Sequence, residues 1–376
     1  MVGTESVREV IALPDELKVA PLVSVVVTNF NYAAYVGMCV RSIASQTYSN
    51  FECVIVDDKS NDGSIETIKA ILAEIDGGDK YHLIELPENS GQMNAFAEGL
   101  AQTTGAFVVF VDADDCLFPT FLETHLQAHL SRDCTSAMTC SDAIIIDGSN
   151  QVLAGLRRGR VTQAGERSRL SRDMPIDCNL LSGWNEDWRV EEDALKLSSA
   201  VRPLRYVSPV ANFQRVWIWT STSSVMFRRS ALDLVLSDRV KNVRISADFY
   251  LFQFCHLIGG TVLIQCALGA YRRHGKNSFA QDMTISHRTI SGRTKSYEPI
   301  WQMIRKEVLT EKALLRDLLG RPRFIAMVAI LFPPKAFMSA WSSLGRRDVA
   351  EGVTLATHMI RNRLRTLPRR MRRAFE

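Results

Sequence analysis

The chain has 376 residues, of which 46% are hydrophobic and 23% charged, with a formal net charge of +4. That length holds one large α/β domain with an appendage, or two domains, and the composition is that of an ordinary globular protein. Charge this near balance gives no ground for a nucleic-acid partner. Eight cysteines without a CxxC pair give none for a disulfide framework or a zinc site. Several cysteines sit in apolar runs and read as reduced, buried thiols of a cytosolic protein. The N-terminus lacks the basic-then-apolar layout of a signal peptide. The longest late apolar run, Phe324 to Phe332, stops at Pro333-Pro334, far short of the roughly 20 residues that span a bilayer.

Residues 1–20 read as a lead-in. Leu22 to Thr28 is a strand by its β-branched content and ends in the polar, aromatic loop Asn29-Phe-Asn-Tyr32. Ala33 to Gln46 is a helix, with Val36, Cys39, Val40 and Ile43 at helical spacing. Phe51 to Val56 is a second buried strand. It runs into Asp57-Asp58-Lys-Ser-Asn-Asp-Gly-Ser64, rich in acids and turn formers. Ser64 to Ile75 is the next helix and Tyr81 to Leu86 a third strand. After Asn89-Ser-Gly91-Gln92, the apolar face Met93, Phe96, Ala97, Leu100 and Ala101 marks another helix. The fourth strand, from Phe107, is apolar throughout, as a strand buried on both faces is. It ends in Asp112, Asp114 and Asp115.

Four strands with three intervening helices predict a parallel, doubly wound sheet. Such sheets bind ligands beyond the carboxyl ends of their strands. Three of those ends carry polar groups: Thr28 to Asn31, Asp57-Asp58, and Asp112 to Asp115. Carboxylates this close repel one another, and a divalent cation with a taste for oxygen ligands holds them together. The competing explanation of Asp-Ala-Asp-Asp is a solvated turn. No GxGxxG follows the first strand and no GxxxxGK[ST] occurs, which disfavours a Rossmann dehydrogenase or a P-loop ATPase. A nucleoside diphosphate bridged by Mg²⁺ or Mn²⁺ suits an acidic crevice, with Asp57 or Asp58 accepting hydrogen bonds from base or ribose.

Five blocks, in order, resemble glycosyltransferase family 2 of the GT-A fold: Val23 to Tyr32, Ser42 to Tyr48, Phe51 to Ser64, Asn89 to Gln92, and Val111 to Asp115. The resemblance implies that Thr28, Asn29, Phe30, Asn31, Asp58 and Gln92 hold a sugar nucleotide. It also implies that Asp112, Asp114 and Asp115 form a DxD-type site for Mn²⁺ or Mg²⁺. The family often carries Asn where this chain has Ala97.

Further on, Pro119 to Arg132 reads as a helix. His125 and His129 lie four apart on it, and without HExxH they read as structural. Ala137 to Ile146 contains another strand. Gly155 to Arg172 is basic and without apolar periodicity, a solvated loop by preference over an acceptor-facing insertion. Trp184, Trp188, Trp217 and Trp219 are either a sugar-stacking wall or core. Trp219 to Ser230 again resembles the family, which puts a strand there. Ile245-Ser-Ala-Asp248 opens a helix that ends at Gly259-Gly260. An acid in a first helical turn is favoured by the helix dipole alone. The family shows Glu-Asp there, and the resemblance makes Asp248 the catalytic base, with Ala247 in place of the Glu. Tyr271 to Ser278 resembles a segment near the diphosphate, so Arg273 or His274 would offset leaving-group charge; the alternative is a basic surface loop.

From Ser296 the chain is helical and ends in seven arginines between Arg361 and Arg373 with no acid among them. This suits an anionic membrane surface, or else a packed appendage with a basic end. The expected organisation is a lead-in over 1–20, a GT-A catalytic domain over 21–295 and a helical, basic extension over 296–376. The catalytic domain divides into a nucleotide-sugar and metal half, 21–135, and an acceptor half, 136–295, with an insertion over 147–215. The expected function is an inverting glycosyltransferase that moves a sugar from a nucleotide-sugar, UDP-linked, to a glycan or lipid-linked acceptor hydroxyl. It would be cytoplasmic and peripheral at the inner face of a membrane. A non-catalytic nucleotide-sugar or glycan scaffold is the alternative. A nucleotidyltransferase ranks low, because Thr28 to Tyr32 has neither glycine nor a basic residue to grip a triphosphate.

Overall fold

The computed structural model describes residues 20–130, 136–154, 204–207, 218–237, 240, 243–244, 246–275, 277 and 297–332. The expectations for residues 1–19, for Gly155 to Arg172, for Trp184, Trp188, Trp217, Cys134 and Cys178, and for the arginine-rich tail lie outside these residues.

The chain divides into two compact units, Met1–Val207 with Trp217–Thr294, and Ser208–Val216 with Lys295–Glu376. In the first, β1 (Val23–Asn29), β2 (Phe51–Asp57), β3 (Tyr81–Glu85) and β4 (Phe107–Asp112) alternate with α1 (Ala33–Ala44), α2 (Ser64–Glu74) and α3 (Gln92–Ala101). These four strands pair in parallel in the order β3-β2-β1-β4, as the alternation of strands and helices predicts. Register places Thr28 beside Val56 and Asp112, so the three polar strand ends come level at one edge.

Beyond β4 the sheet turns mixed. It continues through β9 (Val225–Arg228), β6 (Met138–Asp147) and β10 (Thr261–Arg273) to the two-residue β5 (Cys116–Leu117). The β4–β9, β9–β6 and β10–β5 pairs are antiparallel, and β6–β10 is parallel with register shifts. Two short strands, β7 (Val152–Ala154) and β8 (Leu204–Val207), pair with β6 and β10. Helices α4 (Phe121–Leu130), α5 (Arg229–Val235) and α6 (Ala247–Gly259) complete the unit among the described residues.

Strand alternation sorts β4 between two cores. Phe107, Val109 and Val111 join the cluster that contains Val36, Val40, Ile68 and Phe121, under α1, α2 and α4. Phe110 points the other way, 4.3 Å from the Phe96 ring and 5.9 Å from Phe227, which lies 5.9 Å from Phe252. This row of rings ties α3, β4, β9 and α6 together and so fixes the first turn of α6. Trp219 belongs to the same core: it is buried, 5.5 Å from Phe252, and its Nε1 donates to Thr261 Oγ1 at 3.2 Å. His125 and His129 are structural as well, fully buried against Thr139 and the Met226 carbonyl. The six described cysteines are buried thiols, none of them in a disulfide.

The second unit contains α7 (Glu298–Thr310), α8 (Lys312–Leu319) and α9 (Arg321–Leu331). Ile304, Val308 and Leu315 are buried within it, and Arg305 donates to the Leu331 carbonyl at 2.7 Å. No helix among the described residues is long and apolar enough to cross a membrane.

Candidate active site

The first two strand ends are braced to each other. Asn29 is buried and its Nδ2 donates to Asp57 Oδ2 at 2.7 Å and to Ser60 Oγ at 3.1 Å. Asp57 Oδ1 accepts the Ser60 N–H at 2.8 Å. Asn31, at φ 59°, accepts the Asn61 N–H on its Oδ1 and donates its own N–H to Ser60 Oγ. Asp58 reaches in the other direction. Its two oxygens accept the N–H groups of Ser90 and Gly91 at 2.7 and 2.9 Å. Both aspartates expected to receive base or ribose are therefore committed, on each oxygen, to shaping the crevice. Phe30, by contrast, is 44% exposed beside them, an aromatic face at the mouth.

Gly91 stands just before α3 at φ +88°, which a Cβ would resist, and the Arg244 backbone lies 3.1 Å from where that Cβ would sit. Arg244, which sequence reasoning did not single out, donates to the carbonyl and to Oδ1 of Asn89, each at 2.8 Å. Two residues on, Ser246 takes φ 63° and starts α6, so Asp248 falls in the first turn. Its Oδ1 accepts the Phe249 N–H at 2.8 Å.

The acidic loop after β4 holds three carboxylates in three different settings. Asp112 accepts from Gln92 Nε2 at 2.9 Å and from the Thr222 hydroxyl, and its N–H donates to Ser223 Oγ at 3.0 Å. Burial pushes its carboxyl up to about 7, helped by the charges of Asp114 and then Asp248. Asp115 is 1% exposed, and burial and its two acidic neighbours raise it well above the carboxylate range. Its Oδ1 accepts the Arg272 N–H at 2.9 Å and its Oδ2 the Ser223 hydroxyl at 2.7 Å. Both oxygens of Asp115 thus accept bonds from the protein, one from β10 and one from the turn before β9, and so brace the acidic loop.

Asp114 differs. His274 Nε2 and Asn277 Nδ2 both meet its Oδ2, each at 3.0 Å, and among the described residues nothing donates to its Oδ1. Arg272 lies behind it, 1% exposed. Its Nε donates to the Asp114 carbonyl at 2.8 Å, other donors reach the Asp147 carbonyl and Asn150 Oδ1, and its guanidinium stacks 4.9 Å over Tyr35. The Tyr35 ring also stacks on His274 at 4.7 Å. Tyr32 closes the other side, its phenol raised by burial and then by the charges of Asp114, Asp112 and Asp115.

The segment from Arg272 to Asn277 thus grips the acidic loop. Arg272, rather than the neighbouring Arg273, makes that grip. Strand alternation could have separated the two, had the sequence shown that β10 extends this far. Asn277 carried no signal, since its role depends on the turn after the strand.

A divalent cation fits part of this set. A carboxylate with an open oxygen beside an imidazole is a donor pair that Mn²⁺ accepts, and Asp112 adds negative charge alongside. Among the described residues, however, no three His, Cys, Asp or Glu side chains converge on one metal position. Asp114 and His274 are the residues that would hold the ion, and ligand oxygens would complete its shell.

Residues 24–183 match the model of "Glycosyl transferase family 2". An uncharacterised glycosyltransferase of Nostoc sp. is 28% identical over 257 residues, 68% of this chain and 66% of that protein. The Bacillus subtilis protein TuaG, named as a glycosyltransferase of teichuronic acid biosynthesis, is 33% identical over 129 residues, 34% of this chain and 50% of that protein. The matches thus span two thirds or less of these relatives. Among solved structures, S. aureus TarS 1–349 in complex with UDP-GlcNAc is 14% identical over 90% of this chain and 92% of that chain, with a TM-score of 0.49. Residues 24–183 match that glycosyl transferase family 2 model, and across them β1 to β4 pair in parallel and end at the candidate site.

Proposed function

We propose that this chain transfers a sugar from a nucleotide-sugar, UDP-linked, to an acceptor hydroxyl, with inversion at the anomeric carbon. One observation carries the reading: Gln92 donates to Asp112 and the Arg244 backbone packs on Gly91 beside it, which brings the start of α6, with Asp248 in its first turn, toward the strand ends that bear Asp112 and Asp114. The nucleoside lies across the ends of β1 and β2, where Phe30 offers its face and the braced Asn29, Asn31, Asp57 and Asp58 set the shape. Thr28 and Gln92 line the same edge. A divalent cation held by Asp114 and His274 would supply positive charge to the departing diphosphate. Asp248 accepts the proton of the acceptor hydroxyl as that oxygen attacks from the face opposite the diphosphate. The catalytic unit covers 21–295, and the acceptor is a glycan or lipid-linked hydroxyl met by residues 136–295.

A non-catalytic nucleotide-sugar binder is the second reading. It is left open by Ala247 and Ala97, both buried apolar positions where the resemblance leads one to expect polar side chains. Thermal unfolding with UDP and UDP-sugars, with and without Mn²⁺, together with a transfer assay, separates the two. The expected outcome is a Mn²⁺-dependent rise in Tm that Asp248→Asn keeps, while transfer falls at least about 100-fold. A fully active Asp248→Asn would remove the base. Binding without transfer by the wild-type chain would favour the scaffold.

A further inference from the structure

We propose that Asn277 is a positioning residue that holds Asp114 and His274 as one metal-binding pair. The inference rests on the divalent-cation reading above. Asn277 is 6% exposed and every polar atom of its amide is used. Its Oδ1 accepts the N–H of His274. Its Nδ2 donates to Asp114 Oδ2 at 3.0 Å and to the Arg272 carbonyl at 3.1 Å. One side chain therefore touches both donors of the pair, one through its carboxylate and the other through its backbone.

The orientation of this amide is not arbitrary. Turned by half a revolution, it would set its oxygen against two oxygens, Asp114 Oδ2 and Arg272 O, and its NH₂ against the His274 N–H. Only the observed orientation satisfies all its partners. It also explains why two donors converge on a single oxygen of Asp114. Together, His274 Nε2 and Asn277 Nδ2 meet Oδ2 and fix the carboxylate against the imidazole, and among the described residues nothing donates to Oδ1. The stacking of Tyr35 on the His274 ring at 4.7 Å keeps the imidazole from swinging away. Groups that orient metal ligands in this manner typically change metal affinity by about 10- to 100-fold when removed.

The test is Mn²⁺ affinity of the full chain measured by electron paramagnetic resonance, with and without UDP. Thermal unfolding of the metal-free protein runs alongside to score the fold. Asn277→Ala should weaken Mn²⁺ about 10-fold while the protein stays folded. Asn277→Asp is the decisive variant. It keeps the acceptor for the His274 N–H but replaces the amide donor with an oxygen set against Asp114 Oδ2 and the Arg272 carbonyl. Mn²⁺ should then bind at least about 10-fold more weakly than to wild-type, because the carboxylate is no longer held.

A side chain that merely closes the turn would lose Mn²⁺ affinity in neither variant while the protein stays folded. Unchanged affinity in both variants, or equal weakening in both that tracks lost stability, overturns the proposal. If wild-type protein binds no Mn²⁺ in either condition, the metal reading itself fails and this inference with it, an outcome distinct from the other two.

Discussion

Asp57 and Asp58 adjoin in sequence yet brace opposite neighbours, one Asn29 and Ser60, the other the turn before α3. Each replaces lost hydration with two donors, the condition under which a buried carboxylate is tolerated. Two buried imidazoles show the opposite balance. Burial lowers His129 from an ordinary 6.5 to about 3 and His256 to about 4. The unfolded chain protonates both below about 6.5 while the native state does not, so stability falls as pH drops from about 6.5 toward 4. The raised carboxyl of Asp112 pulls the other way over the same range, so the imidazole contribution is best read as a difference. Urea unfolding at pH 7 and pH 5 should show a smaller acid loss for His256→Gln than for wild-type, by on the order of 2 kcal/mol. Equal losses would mean that His256 takes up its proton without unfolding.

Gly99 governs how α3 seats on the sheet. A Cβ there would lie 2.3 Å from Val26 Cγ1 and 3.1 Å from Val56 Cγ2. The same helix carries Gln92 to Asp112 at its other end. Gly99→Ala should therefore cost roughly 1–3 kcal/mol in denaturant unfolding, against the usual helical gain from alanine. A stabilised variant would show that the helix can lift without penalty. Elements of this kind were legible in the sequence: β1 to β4 and α1 to α3 follow local periodicity, and their ends differ from expectation by a residue or two. The second half was less so. β10 runs thirteen residues, Thr261–Arg273, but its Gln265, Gly269 and bulges break the alternation by which a strand is recognised. The direct passage from β9, which ends at Arg228, into α5, which starts at Arg229, was hidden as well, since Arg229 and Ser230 carry no periodicity. At the site, Asp112, Asp114 and His274 could be picked out by type. That Asp115 braces the loop is set by partners more than a hundred residues away.

At the scale of the molecule, charge is concentrated where the sequence ends. The seven arginines between Arg361 and Arg373 would each contribute on the order of 1 kcal/mol at an anionic bilayer. Co-sedimentation with phosphatidylserine-rich vesicles should thus be strong for the full chain, weaken with salt, and drop sharply when these arginines are changed to serine. Equal sedimentation of both would remove the membrane from the account. The acidic loop has a different dependence on the whole. It leaves the sheet at β4, returns at β5 only by pairing with β10, and is pinned by the Arg272 N–H, 157 residues beyond Asp115. A chain emerging residue by residue has Asp112, Asp114 and Asp115 long before it has Arg272, His274 and Asn277. Contacts this distant form late. The crevice is therefore incomplete until Arg272, His274 and Asn277 have emerged, and a cation met before then finds acids without their braces.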